Sequence, residues 1–204
     1  ESWNYQLTNS RLGPRGRSRD GLEFIRFGGR QGRDVTAASG VRYFMINVYS
    51  MTASPEAMRR VFRVAIDHLG DQPPLPGISR DQLAPVVRLS PTGERELIAM
   101  RWGFPAPPGI GARPIANIRN ALNSTWRPWL NKEFRCLVPA TSFCYYGDQP
   151  KLPHWFAIDE TRPLFAFAGI WRPWVGRRKN ETKEHLLFRF LTTEANKRGI
   201  WVIQ

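Results

Sequence analysis

The chain has 204 residues, enough for one ordinary domain, with 42% hydrophobic and 12% aromatic residues to build a core. Thirty Lys and Arg oppose 17 Asp and Glu, a formal net charge of +13, and a balance that basic points to a polyanionic partner, nucleic acid first. Two cysteines are too few for a disulfide scaffold, no His/Cys cluster has metal-ligand spacing, and no apolar run reaches the ~20 residues of a membrane span.

Residues 1–44 carry eight arginines, no lysine and no apolar periodicity, so they are expected to be a disordered or non-native extension. The first element in the chain is a helix over residues 54–70. Ser54 can cap it, Pro55 fits its first position and Glu56 suits the positive end of the dipole. Met58, Val61, Phe62, Ala65, Ile66 and Leu69 form its apolar stripe and Gly70 ends it, with His68 as a C-terminal dipole partner. "QPPLPG" then reads as a connector. "PVVRLS" and "RELIAMRW" flank "PTGE" as a hairpin, and further strands are expected at "FRCLVP", "HWFAID", "LFAFAGIW" and "LLFRFLTT". One helix followed by many short strands predicts an α+β fold.

Two connecting stretches have unusual contents. "MRWGFPAPPG" sets Trp102 and Phe104 beside a turn, and "ANIRNALNSTWRPW" interleaves Asn117, Arg119, Asn120, Asn123 and Arg127 with Trp126 and Trp129. Aromatic faces that stack on bases, with arginines on phosphates, suit a single-stranded nucleic-acid groove. Equally, the tryptophans could be core and the arginines a solvated rim. Cys136 lies in an apolar strand and reads as an inert thiol, and Cys144 has no neighbouring base. His154 and His185 open strands and read as surface residues.

The succession "NVYSM", "AMRRVFRV", "APVVR", "GERELIAMRWG", "NIRN", "RCLVPATSF", "FAFAGIW" and "FLTTEAN" resembles the SRAP family of SOS response-associated, abasic-site processing proteins, over residues 45–204. It is most similar to the subgroup that begins Met-Cys-Asn-(Leu/Val)-Tyr-Ser. The resemblance implies one SRAP-like domain, truncated at its C-terminus, of mostly antiparallel strands in a curved, barrel-like sheet with a few flanking helices. It also implies a cytoplasmic bacterial monomer, on the nucleoid when bound to DNA, with no cofactor and no metal. Its partner would be single-stranded DNA, especially with abasic sites.

In intact members the resemblance implies an N-terminal cysteine whose α-amine forms a Schiff base with the ring-opened abasic aldehyde. The thiol then closes a thiazolidine crosslink, assisted by an asparagine, a glutamate and a histidine. Here Asn117 matches the asparagine. Arg119, Arg127, Trp102, Gly103, Pro85 and Thr192 match DNA-facing positions, with Trp102 and Gly103 beside the unstacked base. Ile46, however, stands where the cysteine belongs and Tyr145 where the glutamate belongs. The histidine segment is replaced by "KRGIWVIQ", which ends at Gln204. The implied reading is an abasic-site protein impaired in peptidase and lyase-type chemistry. The alternative is a non-catalytic single-stranded nucleic-acid-binding module, and a third reading makes Cys144 the nucleophile of an unrelated thiol enzyme.

Overall fold

The structure is a computed structural model that describes residues 23–24, 46–106, 113–118, 126–146, 153–178 and 181–192; for Glu23, Phe24, Tyr145, His154 and Glu181 it describes the backbone alone. In chain order the elements are β1 (Glu23–Phe24), β2 (Val48–Met51), α1 (Pro55–Phe62), β3 (Ile66–Asp67), β4 (Leu75–Ser79), β5 (Leu83–Leu89), β6 (Arg95–Trp102) and β7 (Asn117–Ile118). Two 3-10 turns, Arg127–Trp129 and Lys132–Phe134, lead into β8 (Arg135–Ala140), β9 (Ser142–Tyr146), β10 (Pro153–Ala157), β11 (Phe165–Arg178) and β12 (Glu181–Leu191). The fold is α+β, with one α-helix among the described residues rather than the few expected.

Five strands close on themselves. β6, β5, β8, β11 and β12 pair antiparallel in that order, and β12 returns to β6 in parallel through Leu187↔Arg101 and Phe188↔Trp102. Closure removes free edges from these strands. A second sheet, in the order β1-β10-β9-β2-β4, lies against the barrel. One core unites them: Tyr49 and Phe143 from the second sheet meet Trp102, Phe167 and Phe190 from the barrel. The rings pack edge-on, with Tyr49 5.2 Å from Trp102 and 5.3 Å from Phe190, the arrangement that aromatic quadrupoles favour.

The helix begins as its sequence predicts and stops earlier. The Ser54 hydroxyl accepts from the Ala57 N–H at 3.1 Å, and Met58 and Phe62 are buried, each stabilising the fold by ~1.5–3 kcal/mol through apolar burial. At Arg63 the backbone turns left-handed (φ 49°), and the Val64 N–H returns to the Arg59 carbonyl. Ile66–Asp67 then pair in parallel with β6, through Ile66↔Glu96. Pairing along β6 outcompetes the helical stripe there, since Ile66 suits a strand at least as well as a helix. Val61 is consequently left 49% exposed. His68 is no helix cap; its Nε2 lies 3.2 Å from Glu96, which also pairs with Arg88 across the hairpin.

Two connectors form strands. "LPGIS" pairs with β2 at the edge of the second sheet, a position where a proline's missing N–H does no harm. "SFCYY" forms β9 between β10 and β2. The hairpin of β5 and β6 is as expected, with Leu89↔Arg95 closing it and Gly93 at φ 86° in the turn. The expected extension lies, apart from Glu23–Phe24, outside the described residues; those two pair in parallel with Phe156–Ala157. No helix among the described residues is long and apolar enough to cross a membrane.

Candidate functional site at the barrel mouth

Three chain segments distant in sequence meet where β2 begins. Ile46 is 4% exposed, packed into the common core. The Asn47 N–H donates to the Cys144 carbonyl at 3.0 Å, which sets the backbone of β9, and so Tyr145, alongside. From the barrel side, the Asn117 side-chain Nδ2 donates to the Ile46 carbonyl at 3.3 Å. Ile46, Asn117 and the Tyr145 backbone are therefore neighbours.

Asn117 is held from behind. β7 pairs with the end of β12 (Phe190↔Asn117, Leu191↔Ile118), and both the Thr192 N–H and its hydroxyl donate to the Ile118 carbonyl. The fully buried Arg189 guanidinium donates from Nη2 to the Asn117 carbonyl at 2.8 Å. It sits between rings, 4.2 Å from Trp126 and 5.2 Å from Phe104, a setting where cation–π attraction partly offsets desolvation. Burial, then the nearby Arg172 charge, lower its pKa to about 9. The Asn117 Oδ1 is buried with no hydrogen-bond partner. Among the described residues, one buried acceptor beside Ile46 is therefore unpaired.

Several residues expected to face DNA are buried in the free chain. Trp102 has no exposed surface; Tyr49 and Phe190 pack against its ring, and its Nε1 donates to the Ala116 carbonyl at 3.3 Å. In the free chain it is a core residue. Pro85 is buried in β5, and Thr192 is buried with its hydroxyl engaged by Ile118. Gly103 is also buried, at φ 108°, where an added Cβ would come within 2.6 Å of the Pro114 Cβ; only glycine fits that turn. These residues shape the mouth from beneath. Arg127 is exposed on the first 3-10 turn, and Arg119 lies outside the described residues. Trp126 and Trp129 stack on the chain's own Arg189 and Arg172.

Ile46 offers no nucleophile. Cys144 has no exposed surface, and Cys136 is buried with its thiol pKa pushed far up by desolvation. Both thiols are buried in the free chain, and exposure and thiolate character are what thiol reactivity needs. His185, expected at the surface, is 7% exposed and stacks on Trp174; desolvation, then Arg101, Lys183 and Arg178, lower its pKa. Among the described residues no group of three or more His, Cys, Asp or Glu could hold a metal ion.

Two contributors escape sequence reasoning. Arg189 does carry a signal, an arginine inside the apolar run "LLFRFL". Arg80 carries none; its Nη2 donates to the Asn47 Oδ1 at 3.3 Å, one residue from Ile46.

A five-stranded barrel with an apposed second sheet and a basic, asparagine-bearing mouth defines a class of compact single-domain protein. Residues 45–202 match the family profile of the SOS response associated peptidases (SRAP), and the chain belongs to that family. Membership ties it to the SOS response and to transactions of DNA in general. A comparison with curated protein sequences gives no significant match. Solved structures share the fold. A protein from Bordetella bronchiseptica superposes with a TM-score of 0.56 at 20% identity, covering 76% of this chain and 77% of that one. A phage-related protein from the same organism gives 0.52 at 19%, covering 72% and 68%. A protein from Bacteroides thetaiotaomicron gives 0.50 at 20%, covering 76% and 75%.

Proposed function

We propose that the chain binds single-stranded DNA across the barrel mouth and holds it without a covalent bond. The observation that carries this reading is the Asn117 amide, anchored by Arg189, donating to the Ile46 carbonyl. In this reading the Asn117 contact is the frame that would present an N-terminal cysteine to DNA, and Ile46 puts an inert side chain where the thiol would be. Arg119 and Arg127 serve as phosphate holders, and the net charge of +13 supplies long-range attraction. Abasic sites are the lesion the mouth suits, with the protein a cytoplasmic monomer that joins the nucleoid through DNA.

A thiazolidine crosslink would need an amine and a thiol on one residue, so that form of covalent capture is absent from this reading. The experiment is a titration of the chain with a single-stranded oligonucleotide and its duplex over a range of salt. Tighter binding of the single strand, falling steeply with salt as counterions are released, is the expected result. Equal affinity for both forms would remove the reading.

A further inference from the structure

The turn between β4 and β5 holds charges that the proposed site does not use. Arg80 and Asp81 form it, with Asp81 left-handed at φ 69°. The turn is tied to the barrel rim: the Asp81 N–H donates to the Trp102 carbonyl at 2.8 Å, and the Trp102 N–H to the Gln82 carbonyl at 3.0 Å. Arg101 donates to the Asp81 carbonyl, and Arg178 places Nη1 3.4 Å from its carboxylate. Lys183 adds a positive charge close to Arg101 and Arg178, since all three act on His185. Arg80 is desolvated and also feels the positive charge of the exposed Arg113.

Compensation is incomplete. Asp81 Oδ1 lies 3.4 Å from Arg178 and 4.0 Å from Arg101 but accepts a hydrogen bond from neither, and no ion pair among the described residues reaches Arg80 or Arg113. The Nε of Arg80, Arg101 and Arg178 are all buried without an acceptor. Native proteins rarely leave such donors unpaired unless a water or ligand completes them. The Arg80 guanidinium meanwhile reaches Asn47, so this basic rim adjoins Ile46.

Building on the proposed function, we infer that Arg80 and Arg113 form a second phosphate-holding rim, which guides the backbone of the bound strand past Ile46. A phosphodiester oxygen supplies an acceptor and a negative charge to the Arg80 and Arg113 guanidinium groups, which Asp81 does not reach.

The test is binding of an oligothymidylate to the full chain across a salt series, for the unchanged protein, Arg80→Gln, Arg113→Gln and the double variant. Each phosphate contact removed should flatten the slope of log K against log salt by ~0.7, and the pair by roughly 1.4. Arg80→Lys and Arg113→Lys, which keep the charge, should retain most of the slope. Arg60→Gln, on the exposed face of α1, is the control for net charge alone. An equal change from Arg60→Gln, or an unchanged slope in the double variant, would overturn the rim while leaving strand binding intact. Failure of the unchanged protein to bind would sink both. Should the double variant lose its thermal transition, the single variants decide the question in the same way.

Discussion

The inside of the barrel and its mouth are built from similar residues put to opposite uses. Inside, Tyr49, Trp102, Phe167 and Phe190 pack against one another; the indole N–H of Trp102 finds the Ala116 carbonyl, and only the neutral Tyr49 hydroxyl of this group is buried without a partner among the described residues. At the mouth, the Asn117 Oδ1 and the Arg80 Nε are buried with no partner. Aromatic and arginine content therefore does not distinguish a core from a groove. The charge of what is left unpaired does: the core leaves one neutral hydroxyl, and the mouth leaves an amide oxygen and a guanidinium N–H, costly unless a ligand completes them.

The largest effect expected from this contrast is at Trp102. Trp102→Ala should cost about 3–5 kcal/mol of folding stability, as for other aromatic truncations in a packed core. Denaturant titration reads this directly. A variant that stays fully stable yet loses DNA affinity would return Trp102 to the binding surface and erase the contrast.

A second test converts the mouth from binding to chemistry. In a chain beginning at Met45, Ile46→Cys supplies the thiol and, after methionine removal, the amine. We predict that it crosslinks to abasic single-stranded DNA slowly, because Tyr145 is a far weaker acid than a glutamate. Adding Tyr145→Glu should speed the crosslink, general acid–base help being typically worth ~10²–10⁴-fold. A rate unchanged by the second substitution would mean that position 145 does not face the reacting atoms.

Much of the barrel is legible in the sequence, because alternation along "PVVRLS" and "RELIAMRW" and the turn residues between them follow local rules. The start of α1 is legible for the same reason, a capping serine followed by proline. Its end is not, since Ile66 and Asp67 leave the helix for a pairing with Glu96 and Leu97, some thirty residues downstream. The burial of Trp102 has no local signal, because a tryptophan beside a Gly turn looks alike on a groove and in a core until the strand pairing is known. The juxtaposition of Asn117 with Ile46 has no local signal either; it follows from the family resemblance and from β12 carrying β7 to the mouth.

A smaller effect is expected at Asn117. Asn117→Ala removes the donor to the Ile46 carbonyl and should cost ~1 kcal/mol of stability, with a measurable fall in strand affinity. Loss of stability with no change in affinity would make the contact purely structural.

The smallest lies away from the mouth, at Asp67. Desolvation raises its pKa, but the Leu69 and Gly70 N–H groups and Arg59 outweigh it and leave the pKa lowered. A depressed carboxylate stabilises the fold above its unfolded pKa of about 3.9, and that contribution is lost as pH falls through the lower folded value. Asp67→Asn should therefore cost ~0.5–1 kcal/mol at neutral pH, with the difference vanishing in strong acid and strand binding untouched. A change in binding would show that the mouth is coupled to this distant ion pair.

The central claim is binding without covalent capture, and one assay addresses it most directly. The unchanged chain is incubated with a single-stranded oligonucleotide bearing one abasic site, and half of each sample is denatured before electrophoresis. The account predicts a shifted band on the native gel that salt abolishes, and free oligonucleotide after denaturation. A band that survives denaturation would contradict it, and would mean that another nucleophile of this chain, a lysine amine or Cys144, reaches the lesion.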